Sequence, residues 1–163
     1  MASLLRKPFS ALTKLGQPPR PGTLAFKAWN RFTGLNNVVY RLSGGRILGS
    51  FDGNPVLLLH HVGRRSGEPR VTPLLYLPDG DELVIVASMG GTPKHPAWFH
   101  NLKAGPDAEI EVGRERRAVL ARVADAEERA RLWPRLVEHY PGFGAYQGRA
   151  EREIPVVILA PRE

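Results

Sequence analysis

The sequence predicts a mainly β domain with peripheral helices, an α+β arrangement in which most strands pair antiparallel. Apolar runs of strand length outnumber the helical patterns. The connections between these runs are shorter than the dozen or more residues that a parallel crossover requires. The chain has 163 residues, of which 42% are hydrophobic and 24% are charged, and this is enough for one folded core. These features together predict a small antiparallel barrel.

The positive charge of the chain is concentrated at its N-terminal end. Residues 1–51 contain eight Lys or Arg and no acidic residue, whereas residues 52–163 contain 15 basic and 16 acidic residues. A proline-rich stretch, Gln17–Gly22, reads as a stiff linker, and apolar residues recur every three or four positions over Leu24–Leu42, with Gly34 between two short helices. We therefore divide the chain into a basic tail (1–22), an amphipathic helical segment (23–47) and a barrel (48–163).

This charge asymmetry is typical of a segment that meets a polyanion, and it also fits a solvated tail or a helix that covers its own domain. An anionic membrane face is the favoured polyanion, because aromatic residues on one side of the helical pattern and cations on the other suit a bilayer surface. We expect no nucleic-acid partner, since the near-neutral body shows no stacking platform. With no apolar run near 20 residues, we expect a cytoplasmic protein, held peripherally on the inner face of the cell membrane through residues 1–46.

The strands follow in order along the body of the chain. Asn54–Val62 is a nearly continuous apolar run, as in a buried strand, and Pro73 indicates an edge or a bulge in the strand after it. Pro78–Asp81 reads as a tight turn. The predicted strands are Asn54–Val62, Arg70–Leu77, Glu82–Ala87, Glu109–Val112, Arg117–Val123 and Ile154–Leu159.

Three helical patterns lie between these strands. Pro96 opens a short helix over Ala97–Ala104. Asp125, followed by two glutamates, is a strong N-cap signal for a helix that runs to about Tyr140. Pro141–Arg149 reads as a loop or a short helix.

Several kinds of chemistry are excluded or disfavoured. The chain has no cysteine, so thiol catalysis, disulfides and cysteine-ligated metals are absent. His60 and His61 are adjacent on a strand and therefore point to opposite faces, and His95 and His100 are not spaced as a helix-face pair. We expect no metal site. Ser66 lacks the Gly-x-Ser-x-Gly setting of a hydrolase nucleophile.

Two glycine-rich loops remain as candidate binding elements. In the first, Gly63 and Gly67 bracket two arginines and Ser66, and Arg70 follows. Guanidinium groups and turned backbone N–H groups suit a phosphate or a carboxylate, although a hairpin turn with solvated arginines has the same pattern. In the second, Gly90 and Gly91 at a strand end allow a planar ligand to approach the backbone.

The segment LLLHHVGRRSGEPRVTPLLYLPDGDELVIVASMGGTPKHPAWFHNLKAGP resembles the deazaflavin-dependent nitroreductase family. These proteins use coenzyme F420 in a split β-barrel related to the FMN-binding barrels. The similarity extends from about Gly49 to Pro161 and includes WPRLVEHYP (Trp133–Pro141) and IPVVIL (Ile154–Leu159). The resemblance implies an oxidoreductase that passes a hydride from reduced F420 to a quinone-like or nitroaromatic acceptor.

The resemblance also implies a set of site residues. The phosphate and tail of the cofactor would lie against Leu58, Leu59, His60, Arg64, Arg65, Ser66, Gly67, Glu68, Pro69 and Arg70. The deazaflavin ring would lie beside Val86, Ala87, Ser88 and Met89, and a loop with Tyr140, Phe143 and Tyr146 would cover it. Ser88 and Tyr146 are the candidate catalytic residues, because each could stabilise charge on the acceptor oxygen.

Two departures from the family pattern affect the acceptor. Met89 stands where well-known members have Lys, and Phe143 stands where they have Tyr. Both changes remove hydrogen-bond donors, so we expect a flat quinone to be a better acceptor than a bulky nitroimidazole. A non-enzymatic F420-binding or storage protein and an FMN-binding reductase are the alternatives.

Overall fold

The computed structural model describes Leu24, Leu35 and residues 37–163. The predicted tail and about half of the predicted amphipathic segment lie outside the described residues. Residues 37–43 are helical and form helix α1. The predicted barrel region is described throughout.

Eight antiparallel strands form one sheet within the described residues. They are β1 Ser50–Phe51, β2 Asn54–Val62, β3 Pro69–Leu75, β4 Leu77–Asp79, β5 Glu82–Val86, β6 Asp107–Val112, β7 Glu115–Val123 and β8 Val156–Pro161. The pairing order is β1-β2-β6-β7-β8-β5-β4, and β3 pairs with the opposite edge of β2 from β6. The predicted fold class, mainly β with peripheral helices, is confirmed.

The sheet curls into a split barrel because one stretch of chain pairs at both ends of the strand order. The prediction of a single strand over Arg70–Leu77 is wrong: β3 ends at Leu75 and the chain bends at Tyr76. Before the bend the chain pairs with β2, and after it with β5. No second strand pairs with β3 among the described residues, so Pro73 sits on an edge, as its missing N–H requires.

The strands bury apolar side chains on both faces. The barrel interior contains Leu83 and Ile85 of β5, together with Leu57 and Leu59 of β2. The alternate residues of β5, Val84 and Val86, pack outside the barrel against the C-terminal helices. This two-sided burial explains why β5 and β8 read as continuous apolar runs.

Three further helices follow at the predicted places: α2 (Ala97–Ala104), α3 (Ala126–His139) and α4 (Gly142–Arg149). Asp125 caps α3 through a reciprocal pair of hydrogen bonds with Glu128. The last strand begins two residues later than predicted. The Ile154 N–H is donated to the Gln147 side chain of α4, and this ties that segment to the helix instead of the sheet.

Candidate functional site

A groove of about 270 Å³ runs along the outer face of the β2–β3 hairpin. Its walls are mostly apolar and include Val56, Leu58, Pro73 and Leu75. The strand register places these residues opposite one another as two cross-strand pairs, Val56 with Leu75 and Leu58 with Pro73. The result is a flat apolar floor that suits a planar ring.

The groove and the arginine loop lie on the same hairpin. We define the arginine loop as residues 63–70, which comprise the connection between β2 and β3 and the first two residues of β3. The distance from Leu58 to Val62, near the tip of the hairpin, is four residues, or about 13 Å along a strand. A ligand with a flat ring in the groove and an anionic group at the loop would therefore be an elongated molecule.

Helix α1 covers the groove from the N-terminal side. Tyr40 is fully buried, and its hydroxyl donates to the Val56 carbonyl and accepts from the Gly113 N–H. Asn37 also lines the groove, with 9% of its surface exposed, and its Oδ1 has no hydrogen-bond partner within the described residues. An unpaired buried acceptor in an apolar groove suits a ligand that brings an N–H or O–H donor.

The arginine loop exposes its side chains and fixes its backbone. Every residue from Arg64 to Arg70 is exposed. The backbone closes through hydrogen bonds from the Gly67 N–H to the Gly63 carbonyl and from the Gly63 N–H to the Glu68 carbonyl. Ser66 Oγ accepts the Glu68 N–H, so its hydroxyl shapes the turn. None of the ion pairs among the described residues involves Arg64, Arg65 or Arg70.

A buried polar relay ties this loop to the barrel interior. The Arg64 N–H donates to Asn101 Oδ1 at 3.0 Å, and the Asn101 amide lies 3.1 Å from His61 Nδ1. His61 Nε2 lies 3.0 Å from Thr72 Oγ1. Burial, aided by the nearby positive charge of Arg70, lowers the pKa of His61 to about 4. The ring is therefore neutral near pH 7, accepts at Nδ1 and donates at Nε2.

His60 lies on the opposite face and is already paired. Its Nε2 is 2.6 Å from Glu111 Oε1, and Arg41 forms an ion pair with the same carboxylate at 2.9 Å. Burial lowers the pKa of His60 despite that contact. Burial opposes ionisation of Glu111, but hydrogen bonds from Arg41 and His60 outweigh it and lower its pKa. This cluster fastens α1 to β2 and β6, and His60 stays a predicted cofactor contact with its Nε2 engaged.

The predicted ring-side residues divide between two environments. Ala87 is fully buried in the barrel core, and so is Leu59, which was predicted to lie against the phosphate and tail of the cofactor. Neither side chain can contact a ligand directly, so both can only support the residues that do. Val86 packs in the outer cluster with the aromatic residues of α4. Ser88 and Met89 are partly exposed, and the Ser88 hydroxyl makes no hydrogen bond among the described residues. Ser88 thus presents a free polar group at the end of β5.

The predicted aromatic cover forms one cluster beside the groove. The Tyr140 and Phe143 rings pack edge to face at 5.1 Å, and the hydroxyls of Tyr140 and Tyr146 are 3.4 Å apart. Phe51, on the groove wall, packs against Tyr140 at 6.3 Å. Burial raises the pKa of Tyr140, so this phenol stays protonated. Phe143 is buried, whereas Tyr146 is partly exposed and is the more accessible donor.

Sequence reasoning missed several residues that build this site. Pro73 and Leu75 share the outer face of the hairpin with Leu58, and the period of two along β3 could have indicated them. Asn101 lies far in sequence from the arginine loop that it contacts, and Arg152 lies far from the end of β5, so neither contact has a local sequence signal. No group of three or more potential metal ligands occurs within the described residues.

The chain is similar to known proteins of one enzyme family. Residues 33–161 match the family of F420H(2)-dependent quinone reductases. A Mycobacterium tuberculosis protein named for this activity, Rv3178, is 49% identical over 108 residues, covering 66% of this chain and 91% of the relative. The F420H(2)-dependent quinone reductase Rv1261c of the same species is 45% identical over 132 residues, covering 78% of this chain and 89% of the relative.

A solved structure supports the same assignment. An F420-H2 dependent reductase is 38% identical, with a TM-score of 0.60, and the match covers 64% of this chain and 93% of that one. The family resemblance inferred from the central segment is thereby confirmed.

Proposed function

Because the chain belongs to the family of F420H(2)-dependent quinone reductases, we propose that its groove and the two flanking loops hold reduced coenzyme F420 beside a quinone acceptor. The activity is that of an oxidoreductase, and the bound coenzyme supplies the hydride. The observation that carries the proposal is the groove itself. Its flat apolar floor lies on the same hairpin as three exposed arginines without carboxylate partners among the described residues.

The residues present fit this cofactor at both of its ends. Asn37 Oδ1, which has no hydrogen-bond partner among the described residues, can accept from an N–H or O–H on a ring system. Arg64, Arg65 and Arg70 can donate to phosphate and carboxylate groups. The stretch of outer face between groove and loop suits the linker of an elongated molecule.

The protein contributes position and a dry surface to the reaction. The floor residues and the covering Tyr40 exclude water from one side, and the aromatic cluster bounds the other. The Ser88 hydroxyl and the Tyr146 phenol are the groups that would stabilise an acceptor oxygen as it gains charge. Both roles remain predictions from the family resemblance. The positions of the two side chains, both partly exposed, support them.

A quinone is favoured over a nitroaromatic acceptor by the same side chains. Met89 is apolar and partly exposed, and Phe143 is buried without a hydroxyl. A flat apolar slot accepts a quinone, whereas a nitro group would leave its oxygens without the donors that Lys and Tyr provide elsewhere.

The test is oxidation of reduced F420 by the purified full chain, with menadione and a nitroimidazole as acceptors. We expect turnover with both and a higher kcat/KM for menadione. A higher value for the nitroimidazole would contradict the acceptor assignment. F420 binding without turnover would favour the storage alternative, and tight binding of FMN but not F420 would favour the FMN alternative.

We also propose that α1 attaches the protein to an anionic membrane surface. Leu35, Val38 and Leu42 are spaced by three and four residues and are 59%, 46% and 80% exposed. Such a stripe, preceded by a basic segment, suits a helix lying at the bilayer surface. None of the described helices is long and apolar enough to span a bilayer.

Vesicle co-sedimentation tests this attachment. The triple variant Leu35→Ser/Val38→Ser/Leu42→Ser should lose binding to vesicles that contain anionic lipid, and high salt should weaken binding of the unmodified chain. The matched control is Leu120→Ser/Val123→Ser, which alters similarly exposed residues of β7. Equal loss in both variants, or binding that ignores salt and lipid charge, would contradict the proposal.

A further inference from the structure

Arg152, in the connection between α4 and β8, grips the loop that follows β5. Its guanidinium lies within hydrogen-bond distance of four backbone carbonyls, those of Ala87, Ser88, Thr92 and Lys94. Its Nη1 also lies 3.0 Å from His95 Nδ1. An arginine has five N–H donors, and here they face five acceptors. One side chain thus ties together both ends of residues 87–95, which we call the ring-side loop.

Arg152 differs from a typical surface arginine in its exposure and in its hydrogen-bond partners. Arg152 is only partly exposed, and none of the ion pairs among the described residues includes it. Burial lowers the pKa of Arg152 from its ordinary value, although the group remains charged near neutral pH. Its hydrogen-bond partners among the described residues are carbonyl oxygens and one imidazole nitrogen, all uncharged acceptors. A cation held in this way stabilises one conformation of the surrounding backbone.

The ring-side loop requires such support because its backbone is strained. Met89, Gly90 and Gly91 have φ values of 45°, 67° and 78°, three consecutive left-handed residues. A non-glycine residue in this region costs about 1 kcal/mol or more, so Met89 keeps the conformation only if its surroundings impose it. The loop also presses closely on α4, since a Cβ on Gly91 would lie 2.4 Å from the Tyr146 carbonyl oxygen.

We propose that Arg152 is a positioning residue for hydride transfer, which holds Ser88 and Met89 in place against the ring of the cofactor. The inference extends the proposed function, because it assumes that these two residues border the ring. In this role Arg152 contacts neither the cofactor ring nor the acceptor. It acts through the Ala87 and Ser88 carbonyls, which it contacts directly.

The planar fork of the guanidinium is essential to this role. A lysine would keep the positive charge but offers three donors from a single nitrogen, and these cannot reach acceptors on both sides of the loop. We therefore expect Arg152→Lys to behave like Arg152→Ala in catalysis. The cofactor's affinity depends mainly on the arginine loop, which Arg152 does not contact.

The experiment compares Arg152→Lys and Arg152→Ala with Arg129→Ala in the full chain. Arg129 is the matched control: it too is a half-buried arginine that donates to a backbone carbonyl, that of Ile154, but it contacts no residue of the ring-side loop. Thermal unfolding reports the general structural effect. Fluorescence titration gives the F420 dissociation constant, and steady-state oxidation of reduced F420 by menadione gives kcat and KM separately.

We expect both Arg152 variants to lower kcat about tenfold to a hundredfold, as for a misplaced reacting group, while the dissociation constant changes less than about threefold. Guanidinium ion at concentrations below those that unfold the protein should restore part of kcat in Arg152→Ala but not in Arg129→Ala. Arg152→Lys keeps the charge and, if Arg152→Ala fails to fold, gives the test by itself.

Three outcomes would overturn the inference. They are a kcat for Arg152→Lys near that of the unmodified chain, an equal loss of kcat in Arg129→Ala at equal thermal stability, and no rescue by guanidinium. Failure of the proposed function would look different, because the unmodified chain would then not oxidise reduced F420, whether or not it binds the cofactor.

Discussion

The arginine loop and the ring-side loop are both glycine-containing connections at strand ends, yet they are held in opposite ways. The arginine loop is anchored by its backbone, through the Arg64 N–H and the Asn101–His61 relay, and leaves its cationic side chains free. The ring-side loop is anchored by its carbonyls, which Arg152 collects, and presents small or apolar side chains. In the proposed function, the arginine loop would bind with its side chains and the ring-side loop would contribute shape.

The contrast follows from what each loop would contact. Anionic groups are recognised by long, charged donors that can adjust, so only the backbone beneath them needs to be fixed. A planar ring that must transfer a hydride needs a wall placed to within a fraction of an ångström. We therefore expect changes to the arginine loop to alter affinity, and changes to the ring-side loop to alter turnover.

The largest expected effect is on cofactor affinity. Replacing Arg64 and Arg65 with Ala together should weaken F420 binding by about 3–4 kcal/mol, since each charge-assisted hydrogen bond contributes about 1.5–3 kcal/mol and these side chains are exposed. Fluorescence titration measures the change, and Arg116→Ala, an exposed arginine on β7, is the control. A dissociation constant within threefold of the unmodified value would contradict the role of the arginine loop in cofactor affinity.

Acid should destabilise the protein through His61, which anchors the arginine loop. The pKa of His61 is about 4 in the folded protein against an ordinary value of 6.5, so the unfolded chain binds the extra proton first. The stabilisation is complete above pH 6.5 and is lost as the pH falls from 6.5 towards 4, a change of roughly 3 kcal/mol. Denaturant unfolding across this window measures it.

The variant His61→Gln isolates this effect from the other histidines. Burial also lowers the pKa values of His60 and His95, so both add to the same acid sensitivity. The free energy of unfolding of His61→Gln should therefore fall less steeply between pH 6.5 and 4 than that of the unmodified chain. Parallel curves would show that His61 is not what links the loop to pH.

A smaller loss of stability is expected in the ring-side loop. Gly91→Ala places a Cβ against the Tyr146 carbonyl at a φ of 78° and should lower the free energy of unfolding by about 2 kcal/mol. Gly90→Ala is the control, because it has a similar φ of 67° but open space around the Cβ. We expect kcat to fall in Gly91→Ala with little change in F420 affinity. A change in affinity alone would contradict the division of roles.

The smallest effect should come from the backbone anchor of the arginine loop. Asn101→Ala leaves the partly buried Arg64 N–H without its partner, and we expect F420 affinity to fall by about 1 kcal/mol because the arginines become less ordered. Asn54→Ala, which removes an exposed amide from the β1–β2 turn, serves as the control. Stopped-flow or equilibrium fluorescence gives the affinity, and a lower kcat at unchanged affinity would argue against the anchor's role.

The local elements were predictable because their signals are local. The apolar run of β2, the cap at Asp125 and the start of α2 after Pro96 depend on residues within a few positions of one another, and all three match the structure. The bend at Tyr76 has no local sequence signal. Its cause is the switch of pairing partner from β2 to β5, and β5 comes later in the chain.

The amino-acid sequence was sufficient to predict the fold class, the family and the arginine loop, because alternating apolar residues, turn residues and a long specific motif are properties of neighbouring positions. Which side chains share a surface depends on the tertiary structure. It placed Leu59 inside the barrel, engaged His60 with Glu111 and brought Arg152 to the end of β5. The carbonyls of residues 87–94 meet the guanidinium of Arg152 only because β8 pairs with β5, and no local pattern encodes that pairing.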